Sequence, residues 1–96
     1  MRLVYSADAV ADMVRLRAFI AEKDPRAATR VANDLIARLE HLCLFPEMGR
    51  PVPTAPDPQT IRDAVVGKYI IRYSVHAEAV VILRLWHHYE DRIQDA

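Results

Sequence analysis

The chain has 96 residues, a length that suits one domain with a single core (residues 1–96) and leaves no room for a second lobe. Lysine plus arginine number 13, as do aspartate plus glutamate, with eight of each sign in residues 1–59 and five of each in 60–96. That balance excludes a sequence-wide basic field for nucleic acid or anionic lipid, and it excludes a basic tail. Cys43 is the only cysteine and has no partner for an internal disulfide, and no Cys/His spacing resembles a zinc site, so neither metal nor cofactor is expected. Arg2, Asp8, Asp12, Arg15 and Arg17 punctuate the first twenty residues, which fits neither a signal peptide nor a membrane span and makes the cytosol the expected compartment.

In chain order, Arg2 to Tyr5 reads as a short strand, and Ser6 stands where a helix N-cap belongs, with Asp8 in the first turn. The helix Ser6 to Glu22 is expected to bury Val10, Met13, Val14, Arg17 and Ile20, broadened by Leu16 and Phe19. Asp24 followed by Pro25 is a strong start signal for a second helix running to about Phe45, with Ala28, Val31, Ala32, Leu35, Leu39, Leu42 and Cys43 on one apolar face. Cys43 on that stripe reads as a small buried hydrophobe. Pro46 to Gln59 holds five prolines and Gly49, so it is expected to cross in extended form as a connector, anchored by Met48, with Arg50 in the loop.

Residues Ile61 to Asp91 carry period-two alternation twice in succession. In Tyr69 to Val75 the odd positions are apolar or aromatic; in Val80 to His88 the odd positions Val81, Leu83 and Leu85 are apolar and the even ones include Arg84, Trp86 and His88. Gly67 suits the first central position of a two-residue turn, which sets Asp63 opposite Arg72. An odd-length connection around 76–79 sets Tyr73 opposite Leu83, Ile71 opposite Leu85, Arg72 opposite Arg84, Ile70 opposite Trp86 and Lys68 opposite His88. Two arginines directly across repel unless a carboxylate intervenes. Arg72 is then either a sheet-surface salt bridge with Asp63, worth roughly 0–1 kcal/mol, or part of a binding face with Arg84 and Trp86. Adjacent His87 and His88 point to opposite faces and cannot chelate one metal together: His87 is expected inside, and His88 with Tyr89 beside Arg84 is the one candidate acid/base cluster. The fold class is α+β, an N-terminal strand and helical hairpin on one face of a small antiparallel sheet.

The series Pro46-Glu47-Met48-Gly49-Arg50-Pro51, an isolated Arg62, Gly67-Lys68-Tyr69-Ile70-Ile71-Arg72-Tyr73 and Val81-Ile82-Leu83-Arg84-Leu85-Trp86-His87 resembles the RelE/ParE superfamily of type II toxin-antitoxin toxins, in its ParE, or plasmid-stabilisation, branch. The resemblance implies a cytosolic toxin neutralised by a ParD-like antitoxin that wraps it. The partner's helix would lie across the helical hairpin, and an extended segment would follow a sheet edge or cover Arg72 and Arg84. Membership implies no membrane and no specific DNA contact by this chain. ParE-like members poison DNA gyrase, whereas RelE-like members cleave ribosome-bound mRNA with a set of basic residues. Aligned on Tyr69 and Tyr73, the chain has Ile70 and Glu90 where that set has arginines, and Ile61 and Asp63 near its lysines, which favours the gyrase-directed reading. The surface for target or antitoxin then comprises Arg62, Arg72, Arg84, Trp86, His88 and Tyr89. Two alternatives remain open: a ribonuclease using Arg84, His88 and Tyr89, and an antitoxin-binding remnant without toxicity. The ParE branch's terminal H-x-x-R-D pattern reads His87-His88-Tyr89-Glu90-Asp91 here, with Glu90 in place of the arginine.

Overall fold

The computed structural model describes residues 1–57 and 60–87. Strand β1 (Arg2–Tyr5) leads into helix α1 (Ala7–Lys23) and helix α2 (Pro25–Leu42). Four strands follow: β2 (Arg50–Pro51), β3 (Ile61–Val66), β4 (Tyr69–Val75) and β5 (Ala79–His87). Ser6 caps α1, its hydroxyl accepting from the Ala9 amide at 3.0 Å. Asp24 caps α2 through the Arg26 and Ala27 amides, with Pro25 supplying a helical φ and no unsatisfied N–H. The second helix stops at Leu42, three residues short of the expected Phe45. A turn begins at Cys43, which donates to the Glu40 carbonyl, and Pro46 lies too close to let the helix continue.

The sheet order is β1-β5-β4-β3-β2. Strands β2 to β5 are antiparallel neighbours, but β1 runs parallel to β5, so the sheet is mixed rather than wholly antiparallel. A parallel neighbour requires a crossover, and the helical hairpin between β1 and the later strands provides it. Leu16, Leu35, Leu39 and Leu42 from the helices meet Ile71, Tyr73, Val80, Ile82 and Leu85 in one core. Cys43 is half-buried against that core.

Two expectations about facing are corrected. The first concerns β5. The register places Ile71, Arg72 and Ile70 opposite Leu85, Arg84 and Trp86 as expected, yet Tyr73 pairs with Ile82 and Val75 with Val80. A β-bulge leaves Leu83 as the extra residue and inverts the facing of the first half of β5. Val80 and Ile82 are therefore the core residues there, not Val81 and Leu83. The second concerns α1, whose buried face is Ala9, Asp12 and Leu16, while Val10 and Val14 are exposed. The stripe is rotated because it includes a buried aspartate.

Candidate functional site: an arginine ladder on the open face

The end of β1 explains why Asp12 is buried. Beyond Ile82, β5 has no strand on its outer side, because β1 ends at Tyr5, and its backbone groups need other partners. Side chains of α1 supply them. Ser6 Oγ donates to the Leu83 carbonyl at 2.9 Å, Asp12 Oδ2 accepts from the Leu85 amide at 2.8 Å, and Arg15 Nη2 donates to the Leu85 carbonyl at 2.9 Å. The Asp12 carboxylate also accepts from Arg84 Nε at 2.8 Å and Arg84 Nη2 at 3.2 Å, and pairs with Arg15 Nη1. Burial raises the Asp12 pKa, but the bonds from Arg84, the Leu85 amide and Arg15 outweigh it and hold the group below the ordinary value of 3.8. The hydrogen bond to Asp12 in turn raises the pKa of Arg84.

On the sheet face away from the core, Arg50, Asp63, Arg72 and Arg84 stand in register across four strands. Arg72 and Asp63 form a two-pronged pair, Nε to Oδ1 at 2.9 Å and Nη2 to Oδ2 at 3.0 Å. Trp86 lies between the two flanking guanidinium groups, 5.3 Å from Arg72 and 5.4 Å from Arg84, and is only 4% exposed. Cation–π attraction to a nearly dry indole, plus Asp63 for Arg72 and Asp12 for Arg84, fixes these two arginines. The repulsion expected between Arg72 and Arg84 is thus relieved inside the chain by Asp63 and Asp12, and no outside carboxylate is required.

Arg62 does not join this cluster. It pairs across from Tyr73 on the core side and donates to the carbonyls of Gly49 at 2.9 Å and Glu47 at 3.4 Å. Buried Tyr73 holds the same loop, donating to the Pro46 carbonyl at 2.7 Å and accepting from the Gly49 amide at 2.9 Å. Burial raises the Tyr73 pKa and keeps the phenol neutral. Met48, expected as the anchor, is exposed; Tyr73, Arg62 and buried Val52 do the anchoring. A Cβ on Gly49 would stand 2.6 Å from the Tyr73 hydroxyl and 2.9 Å from the Asp63 carbonyl, so only glycine fits there. Arg50 is not a loop residue but the first of the short strand β2, opposite Asp63.

His87 is buried as expected, its ring 5.3 Å from both Phe19 and Tyr69. His88 and Tyr89, and with them the candidate acid/base cluster, the Lys68–His88 pairing and Glu90, lie outside the described residues. Sequence reading brought Arg72, Arg84 and Trp86 together correctly and missed Asp12, Tyr73 and Gly49. The signal for Asp12 was its place at the spacing 9, 12, 13, 16, 20 along α1. Among the described residues, no group of three or more His, Cys, Asp or Glu side chains is placed to hold a metal, and no helix is long and apolar enough to cross a membrane.

Comparison with known proteins meets this geometry from the other side. The family described as "ParE toxin of type II toxin-antitoxin system, parDE" matches residues 3–92. Toxin RelE1 of Caulobacter vibrioides is 34% identical over 94 residues, covering 94% of this chain and 96% of its own length. Toxin RelE2 of the same organism is 37% identical over 87 residues, covering 90% and 93%. Among solved structures, the chromosomal ParDE toxin-antitoxin system from P. aeruginosa superposes with a TM-score of 0.75 at 19% identity over 91% of this chain and 95% of that one. The toxin-antitoxin complex RelBE2 from Mycobacterium tuberculosis gives 0.60 at 23% identity over 93% and 92%. The solved structures share the fold, the family match and the curated relatives extend over nearly the whole sequence, and the chain belongs to the ParE toxin family of type II toxin-antitoxin systems.

Proposed function

We propose that this chain is a ParE-like toxin that acts by binding a protein, DNA gyrase, and that a ParD-like antitoxin neutralises it. The observation that carries this reading is the occupancy of the open-face arginines. A ribonuclease of this fold needs cations free to neutralise a scissile phosphate and the charge that develops on it. Here Arg72 is engaged by Asp63 and Arg84 by Asp12, and Ile70 presents an alkyl group beside them. Asp63 adds a negative charge that an RNA backbone would meet at close range. Two guanidinium groups held in place by Asp63, Asp12 and the buried Trp86 ring are better suited to protein contact, where arginine contributes heavily.

An antitoxin partner is supported by the family and by the solved relatives, which come from a ParDE toxin-antitoxin system and a RelBE2 toxin-antitoxin complex. The test is induced expression without antitoxin. Arrested replication with a DNA-damage response and intact transcripts is the expected outcome. Codon-specific mRNA cuts with normal replication would overturn the gyrase reading in favour of Arg84, His88 and Tyr89 as a ribonuclease site. Unimpaired growth at full expression would favour the non-toxic remnant.

A further inference from the structure

Between α2 and β2 the chain presents three large apolar side chains to solvent. Leu44 is 72% exposed, Phe45 56% and Met48 52%, and all three line one groove of about 460 Å³ together with Pro46, Glu47 and Val75. The backbone beneath them is fixed. The Leu44 and Phe45 amides donate to the His41 carbonyl and the Met48 amide to the Phe45 carbonyl, while Tyr73 and Arg62 hold the backbone of Pro46, Glu47 and Gly49. The Phe45 ring is itself stacked on His41, with centroids 4.9 Å apart. Exposure of these side chains is therefore set by the fold, and little further ordering is required when something covers them. A contiguous apolar patch on the order of a few hundred Å² is of the size that marks an interaction surface.

We propose that this patch is a self-association surface, on which two copies of the chain meet about a two-fold axis close to Phe45 and each seats its Leu44 in the groove of the other. A two-fold contact must be complementary to itself, and this patch carries both a projecting side chain, Leu44, and the groove beside it. The charges complement each other in the same way. A two-fold axis at Phe45 reverses the chain direction, so the His41 stacked on Phe45 in one copy faces the segment that carries Glu47 in the other, and an imidazole N–H meets a carboxylate twice. With a net charge of zero, two copies approach without long-range repulsion. The patch is smaller than the ~800 Å² that each partner contributes to a standard interface, so the dimer is weak and reversible. The contact requires neither gyrase nor an antitoxin.

The test is sedimentation equilibrium of the antitoxin-free full chain from about 10 to about 500 µM, the range suited to a contact of this size. The weight-average mass is expected to rise with concentration from 11.0 kDa toward twice that value. Leu44→Lys and Phe45→Lys are each expected to raise the dissociation constant about tenfold or more, whereas Val14→Lys, equally exposed but away from the patch, leaves it unchanged. In the unaltered chain, diluting a nitrogen-15-labelled sample should move the amide signals of Leu44, Phe45 and Met48, a readout that does not depend on the variants folding. A single 11.0 kDa species across the range overturns the inference, as do dilution shifts confined to other residues or undiminished association of Leu44→Lys. A chain that stays monomeric while Leu44→Lys loses antitoxin or gyrase binding assigns the patch to that partner and likewise overturns it.

Discussion

Asp12 is the residue with the most dependents. Its carboxylate satisfies the buried Leu85 amide on the stretch of β5 that β1 does not reach, and neutralises Arg84 and Arg15. Asp12→Ala leaves a buried amide without an acceptor and two guanidinium groups without their shared counter-charge, and should cost about 3 kcal/mol in urea unfolding. Asp12→Asn keeps an acceptor for Leu85 and should cost less. The folded-state pKa lies below the ordinary 3.8, so the stabilisation is complete above that value and is lost as pH falls through the lower folded value. Denaturation midpoints measured from pH 5 downward should fall more steeply for the native chain than for Asp12→Asn. Parallel curves would remove Asp12 from the acid response. Gly49 makes a second sharp case. With the Tyr73 hydroxyl and the Asp63 carbonyl against the place of its missing Cβ, Gly49→Ala should destabilise by about 1–3 kcal/mol. Tyr73→Phe, which leaves the Gly49 amide without its acceptor, should cost about 1–2 kcal/mol and speed exchange at that amide.

At the scale of elements, α1 illustrates how a local pattern misleads. Its buried face is Ala9, Asp12 and Leu16, so Val14→Lys should change stability by less than about 0.5 kcal/mol, whereas Leu16→Ala should cost about 3 kcal/mol. Equal losses in thermal or urea unfolding would restore the face that includes Val10 and Val14. Much of this architecture is legible without coordinates because its causes are local. Asp24-Pro25 starts α2, Gly67 at φ 59° turns β3 into β4, and alternation alone bounds Tyr69–Val75. What escapes reading depends on distant partners. An aspartate is not assigned to an apolar face unless the strand edge it serves, 73 residues later, is already known. The Leu83 bulge is likewise invisible, because parity arguments assume an unbroken ladder. The arginine pairing across β4 and β5 survived that error because it lies beyond the bulge. Tyr73 was read as one more core aromatic, and its hydroxyl's hold on the proline-rich crossing needed the loop's path.

For the whole molecule, the arrangement separates two surfaces. Helices and core-side residues form the scaffold, and the outer sheet face carries an arginine ladder in which Arg72 and Arg84 are locked by internal carboxylates and a shared indole. A locked cation is poorly suited to following a phosphate through a reaction and well suited to presenting a fixed shape to a protein. The net charge of zero agrees with that division, since no long-range field gathers RNA to the face. The most direct measurement is the supercoiling of relaxed plasmid by purified gyrase in the presence of the antitoxin-free chain. Inhibition that the antitoxin reverses, and that Arg72→Ala and Arg84→Ala each weaken by about tenfold or more, is the expected result. Undiminished supercoiling at saturating toxin, with the same preparation cutting mRNA on ribosomes, would contradict it.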